Sequence, residues 1–246
     1  MSGATVAAMV GAVGGAGTTR TTVELAAALA ADGEAVAVLD AAYGTQGLSD
    51  YLGGTLRPDA TELVTGATDE PLTTGLYDLD LGVEGGVVCC PAHAPFERLA
   101  RAKRPAAAEA FEGRVREAAG AFDAVLVDVP PVASNQALAA VDAADRVALV
   151  APATGRGADA VQRMDARLTD VGATVDAVVA TFGELEVADA NLPRSDRTAV
   201  EEVPACLAGD SAYAPAVGAA AEVVLERSLD VEFDDGSLLG GVGLGR

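Results

Sequence analysis

The residues best suited to chemistry form one stretch, Val13-Gly14-Gly15-Ala16-Gly17-Thr18-Thr19-Arg20, entered from an apolar run at 4–10 and followed by a helical pattern through Val23, Leu25, Ala26 and Leu29. A buried strand that feeds a Gly-rich turn and opens a helix is the layout of a phosphate cradle. The N–H groups at a helix start point outward and favour an anion. Two aspartates extend that chemistry: Asp40 closes the apolar run at 35–39, and Asp128 closes Val125-Leu126-Val127. With the Thr19 hydroxyl they are candidate partners of a hydrated Mg²⁺, the ion that accompanies a nucleoside triphosphate. The candidate nucleotide contacts are Gly14, Gly15, Ala16, Gly17, Thr18, Thr19 and Arg20; the candidate metal partners are Thr19, Asp40 and Asp128.

The cradle lacks the usual cation. A working phosphate loop reads G-x-x-x-x-G-K-[ST], with the lysine on the β- and γ-phosphates and the hydroxyl on Mg²⁺. Gly17 and Thr19 hold two of these places, but Ala12 stands at the first glycine and Thr18 at the lysine. By itself this pattern fits an ordinary Gly-rich turn as well as a phosphate loop. A charged hydrogen bond contributes about 1.5–3 kcal/mol, so its loss weakens binding roughly tenfold to a hundredfold. Hydrolysis suffers more, because the same cations stabilise the charge of the transition state. Arg20 is a candidate substitute, but two helical positions beyond Thr18 it is rotated by about 200° and is expected to point away from the phosphates.

Strands are expected at 4–10, 35–39, 87–90, 122–128, 147–150 and 175–180, with helices at 19–31, 60–64, 135–144, 158–171 and 214–229. Pro58-Asp59 is the entry signal for the short second helix, and Pro105 divides or restarts the helical stretch at 95–121. Leu138 and Val141 are expected to face inward, and Val203-Pro204 to mark a short edge element, while residues 66–86 show no clear period. The alternation argues a three-layer, doubly wound, mainly parallel α/β sheet. Sites in such sheets lie at the carboxyl ends of the strands, where the Gly-rich loop, Asp40 and Asp128 converge. One domain over residues 1–229 is expected, with a flexible tail at 230–246, acidic and then Gly-rich.

The formal net charge is −21, the sequence pI near 4.2, and Lys103 is the only lysine. Acid excess with arginine in place of lysine suits a salt-loaded, haloarchaeal type of cytoplasm, where surface repulsion is screened within about 3 Å at 1 M salt. It argues against nucleic acid as the main partner. The basic run at 98–104 is expected to be the solvated face of a helix. No basic segment precedes the first apolar run and no apolar stretch is long and charge-free enough to span a bilayer, so a cytoplasmic protein is expected. Cys89, Cys90 and Cys206 suit buried reduced thiols, and with His93 they lack the paired spacing of a metal site.

Together these features resemble the MinD/ParA family of deviant Walker A P-loop ATPases, over residues 4–229. The family loop K-G-G-x-G-K-[ST]-T lies on Val13 to Arg20, and its D-x-D-x-x-G on Asp40-Ala41-Ala42-Tyr43-Gly44, followed by Leu48 and Leu52-Gly53. Phe122-Asp123-Ala124-Val125-Leu126-Val127-Asp128-Val129-Pro130-Pro131 is similar to the Walker B segment, Val87-Val88-Cys89-Cys90-Pro91-Ala92 to the strand before it, and Val203-Pro204 to the late I-P turn. On this resemblance the lysine that reaches across a nucleotide-sandwich dimer falls on Val13, the ordinary P-loop lysine on Thr18, and the second aspartate on Ala42.

The resemblance implies weak or absent binding of ATP or ADP with Mg²⁺. It implies a degenerate pseudo-ATPase serving as a binding or regulatory module in spatial organisation or partitioning, docked on a protein partner: a second copy or an active relative. The alternatives are a divergent but active ATPase that positions cargo, and a structural protein that binds no nucleotide. The tail at 237–246 is too rich in glycine and too poor in cations for the membrane-anchoring helix of MinD, and the surface too acidic for the DNA binding of ParA. Neither autonomous membrane binding nor DNA binding is expected.

Overall fold

A computed structural model describes residues 4–209, 212–231 and 233. The short apolar runs become strands because helices cover both faces, which favours unbroken Val, Ala and Leu over strict alternation. The strands are β1 (Thr5–Gly11), β2 (Ala35–Asp40), β3 (Tyr77–Leu79), β4 (Gly86–Cys90), β5 (Ala124–Val129), β6 (Arg146–Pro152), β7 (Ala177–Thr181) and β8 (Ala190–Asn191). Their spatial order is β3-β4-β2-β5-β1-β6-β7-β8, and only β3 runs antiparallel to its neighbour.

The helices are α1 (Thr18–Ala31), α2 (Ala60–Val64), α3 (Phe96–Ala102), α4 (Pro105–Ala119), α5 (Asn135–Asp142), α6 (Gly155–Asp170) and α7 (Tyr213–Leu225). Alternate residues of β1 feed two separate cores, as a pleated strand requires. Val6, Ala8 and Val10 join the core that includes Phe111, Val115 and Met164, while Ala7 and Met9 join the core under α1 and α7. The fold is therefore the three-layer, mainly parallel α/β sandwich expected from the sequence.

Local signals set most boundaries. Asp59 caps α2 by accepting the N–H groups of Thr61 and Glu62. Pro105 sits at the start of α4, where its missing N–H has no cost, so the stretch at 95–121 is two helices.

Two details differ from the sequence reading. The aperiodic region holds β3, a three-residue edge strand whose Tyr77 and Leu79 are only half-buried. Val203-Pro204 is not in the sheet; it lies between two 3₁₀ turns, Val200–Glu202 and Ala205–Leu207, and the edge strand is β8. Val141 is buried as expected, and Leu138, half-buried, packs against the same core.

Beyond α7 the Asp230 and Val231 N–H groups donate to Asp32 Oδ1 at 2.8 and 2.7 Å. Phe233 covers Gly218, where a Cβ would stand 2.7 Å from the ring. The Gly-rich part of the tail, at 237–246, lies outside the described residues. No helix among the described residues is long and apolar enough to cross a membrane.

Candidate functional site

β1 ends at Gly11, and the chain turns through 12–17 into α1. Gly15 and Gly17 take φ values of 77° and 82°, a left-handed backbone that a side chain would strain. Gly11 is constrained differently: a Cβ there would stand 2.8 Å from Thr18 Oγ1 and 3.7 Å from Pro131 Cδ. Two strands pin the loop, Ala12 N–H donating to Val150 O at 2.9 Å and Thr181 Oγ1 to Ala16 O at 2.8 Å. The N–H groups of Gly14, Gly15, Gly17, Thr18 and Thr19 have no acceptor among the described residues. Five unpaired donors around one turn form a concavity of the kind that suits an anion.

The concavity opens into a cavity of about 320 Å³, lined by Val13 to Arg20, Ala42, Thr45, Tyr51 and residues 128–131. On its floor Thr19 Oγ1 donates to Asp128 Oδ2 at 2.6 Å. A hydroxyl and a carboxylate in that geometry suit a Mg²⁺ that takes its remaining ligands from water and phosphate. Asp40 lies one strand over, in register with Asp128. It is fully buried and turned to the backbone: Oδ1 accepts Ala42 N–H at 2.7 Å and Oδ2 accepts Ala92 N–H at 3.1 Å. Asp40 thus fixes the two loops that leave β2 and β4.

Arg20, the one cation of the loop, is not aimed at the donors. The Arg20 guanidinium donates to Arg197 O at 2.6 Å, lies 3.4 Å from Glu24 and covers the Tyr213 ring at 5.8 Å. Sequence reasoning missed Glu24, a buried helical carboxylate whose two oxygens accept the Ala205 and Cys206 N–H groups at 3.0 Å each. Those N–H groups stand some 180 residues away and leave no local signal, although Arg20, one turn earlier, pairs with the same carboxylate. A second cavity of about 320 Å³ adjoins Gly17 and Arg20, walled by Phe182, Leu192, Arg194 and Tyr213. The three cysteines are buried and free, burial pushing the Cys89 thiol up to about 12. No group of three or more metal-ligating His, Cys, Asp or Glu side chains occurs among the described residues.

Burial pushes the Asp40 carboxyl upward, and the neighbouring Asp128 charge pushes it further; burial raises Asp128 as well, against the Thr19 hydrogen bond. A carboxyl raised in the folded state contributes stability below its unfolded value near 4, and that stability is lost as pH rises. Asp128→Asn keeps an acceptor for Thr19 and removes one charge of the pair. We expect it to raise the unfolding free energy at pH 8 by about 1–3 kcal/mol, with little change at pH 4, as read from urea unfolding at both pH values without Mg²⁺. An equal effect at both would exclude the charge pair as its cause.

No family model matches the chain, and no curated protein matches it. Solved structures do. MinD from Pyrococcus horikoshii OT3, complexed with Mg-ADP, superposes with a TM-score of 0.75 at 21% identity over 89% of this chain and 95% of that one. The MinC:MinD cell division complex of Aquifex aeolicus gives 0.73 at 20% identity, over 93% and 98%. The ATP complex of a Cyanothece McdA variant gives 0.71 at 18%, over 94% and 100%. The chain therefore has the MinD/ParA type of P-loop NTPase fold.

Proposed function

We propose that this chain is a MinD/ParA-type protein that holds a nucleotide through its backbone loop but has given up hydrolysis, and acts as a binding or regulatory module toward a protein partner. One observation carries the reading: the anion cradle and the Thr19–Asp128 pair are intact, whereas Val13, Thr18 and Ala42 are neutral and Arg20 is committed to Arg197, Glu24 and Tyr213. Thr19 and Asp128 would hold Mg²⁺, which when bound neutralises phosphate charge. The second cavity would take the base, since it meets the loop at Gly17.

Val13, 40% exposed at the mouth of the phosphate cavity, offers a partner an apolar contact rather than a reaching cation. The partner would be a second copy or an active relative; the Aquifex MinD structure is itself a complex with MinC. DNA is not part of the proposal, because Arg98, the first cation of the basic run, is drawn inward into ion pairs.

Calorimetric titration with ATP and ADP in molar KCl with Mg²⁺, alongside phosphate-release assays, tests the reading. Mg-dependent binding that Asp128→Ala abolishes, with no phosphate release above background, is the expected result. Turnover that Asp128→Ala abolishes would make the chain an active ATPase. An absence of heat at any concentration would leave a structural protein.

A further inference from the structure

The nucleotide reading leaves the phosphate charge without a protein cation, and the structure contains one poised beside the site. Lys103, the only lysine in the chain, caps the C-terminus of α3. Its Nζ stands 3.9 Å from where a Cβ on Gly44 would be. Gly44 lies between Ala42 and Thr45, two residues of the cavity wall. The same lysine is also tied to the segment that follows β5, the strand beside β2: Asn135 Nδ2, at the start of α5, donates to Lys103 O at 3.0 Å. That helix follows the loop of Pro130 and Pro131, which also lines the cavity.

The ammonium has no ion pair or hydrogen bond among the described residues, unlike Arg98, Arg114 and Arg146, whose charged ends are all engaged. The Arg20 side chain turns to the far side of α1. Lys103 is thus an unpaired cation on a flexible stem, its backbone held by Asn135 and its ammonium beside Gly44 of the loop that lines the cavity. Gly44 presents no side chain between the ammonium and the cavity.

We propose that Lys103 is the phosphate-contacting cation of this site, swinging over Gly44 to meet the terminal phosphates of a bound nucleotide and standing in for the charge that Thr18 does not carry. The inference rests on the nucleotide reading above. An ammonium suits this task because it is a compact point charge with rotatable donors. Contact must be direct, since molar salt screens charge beyond about 3 Å.

The test compares ATP, ADP and AMP binding to the wild type, Lys103→Met and Lys103→Arg by calorimetry with Mg²⁺, and repeats the ATP titration from 0.5 to 3 M KCl. Lys103→Met is expected to weaken ATP binding about tenfold or more while leaving AMP within about twofold and flattening the salt dependence. Lys103→Arg should retain most of the ATP affinity. Lys103 is exposed and unpaired, so thermal unfolding should match the wild type and separate a lost contact from a lost fold. ATP binding that Lys103→Met leaves unchanged would overturn this assignment and spare the nucleotide reading. A wild type that binds none of the three nucleotides would overturn both.

Discussion

Arg98→Ala should lower the unfolding free energy by about 3–5 kcal/mol, the usual result of leaving a buried charge without its partner. Asp59 is fully buried, and its Oδ1 accepts the Thr61 N–H at 2.7 Å, the Thr61 hydroxyl and the Glu62 N–H. Its Oδ2 is held by the Arg98 guanidinium at 2.5 Å. The same guanidinium reaches Glu62 at 2.7 Å, Thr61 Oγ1 at 2.7 Å and His93 O at 3.0 Å, with only 12% of the side chain exposed. Burial pushes the Glu62 carboxyl upward, but Arg57 and Arg98 together hold it below the usual carboxylate range.

Arg57 is largely exposed and its ion pair is to Glu62, so it reaches Asp59 only as a distant charge when Arg98 is gone. The measurement is urea unfolding in molar KCl, with Arg101→Ala as the control. Arg101 lies on the same helix with a single 4.0 Å contact to Glu97, and its loss should cost less than about 0.5 kcal/mol. Salt that screens surface pairs should leave the Arg98 effect standing. A loss below about 1 kcal/mol would show that Asp59 finds water or a new partner.

The cluster also bears on the cavity beside the Gly-rich loop. Arg98 fixes the carbonyl of His93, and the next residue, Ala94, is gripped at both backbone groups by the Gln46 side chain, at 2.7 and 3.3 Å. Gln46 itself takes a left-handed φ of 55°, a strained choice for a residue with a side chain. It closes the loop that carries Ala42, Gly44 and Thr45. The ion cluster, the 91–95 segment and the wall of the cavity therefore form one connected support.

Very little of that support could be read from the sequence. The six central parallel strands were legible because a strand covered on both faces is an uninterrupted apolar run, and α1 and α2 because their entry signals, Gly17 and Asp59, are local. The Gly-rich loop, Thr19 and Asp128 belong to the same class: each declares itself by residue type at the end of a strand. Arg98 did not. In sequence it is the first of four cations within seven residues and suggests a solvated face; its carboxylate partner is 39 residues earlier and buried. Asp40 reads as a metal partner by position, yet its oxygens serve two backbone N–H groups, one of them 52 residues away. β3 and β8 escaped because two or three residues at a sheet edge carry too little pattern.

Thr18→Lys gives the sharpest test of whether the loop is still a phosphate loop. Thr18 is the first residue of α1, and its unpaired N–H belongs to the same array as those of Gly14, Gly15, Gly17 and Thr19. Its side chain leaves the helix over Gly11, where the absent Cβ makes room. A lysine at this position would bring its ammonium to whatever anion the array holds, and a charged hydrogen bond contributes about 1.5–3 kcal/mol. ATP should therefore bind the variant roughly ten to a hundred times more tightly than the wild type, as measured by calorimetry with Mg²⁺.

Turnover should stay at background in that variant, because Val13 and Ala42 remain neutral. If Lys103 already contacts the phosphates, the two lysines compete for the same charge, and Lys103→Met should cost less in the Thr18→Lys background than alone, a coupling that a double-mutant cycle measures. Unchanged ATP affinity on Thr18→Lys would mean that the five donors no longer converge on a phosphate. The loop would then be a turn that the fold has kept for its shape.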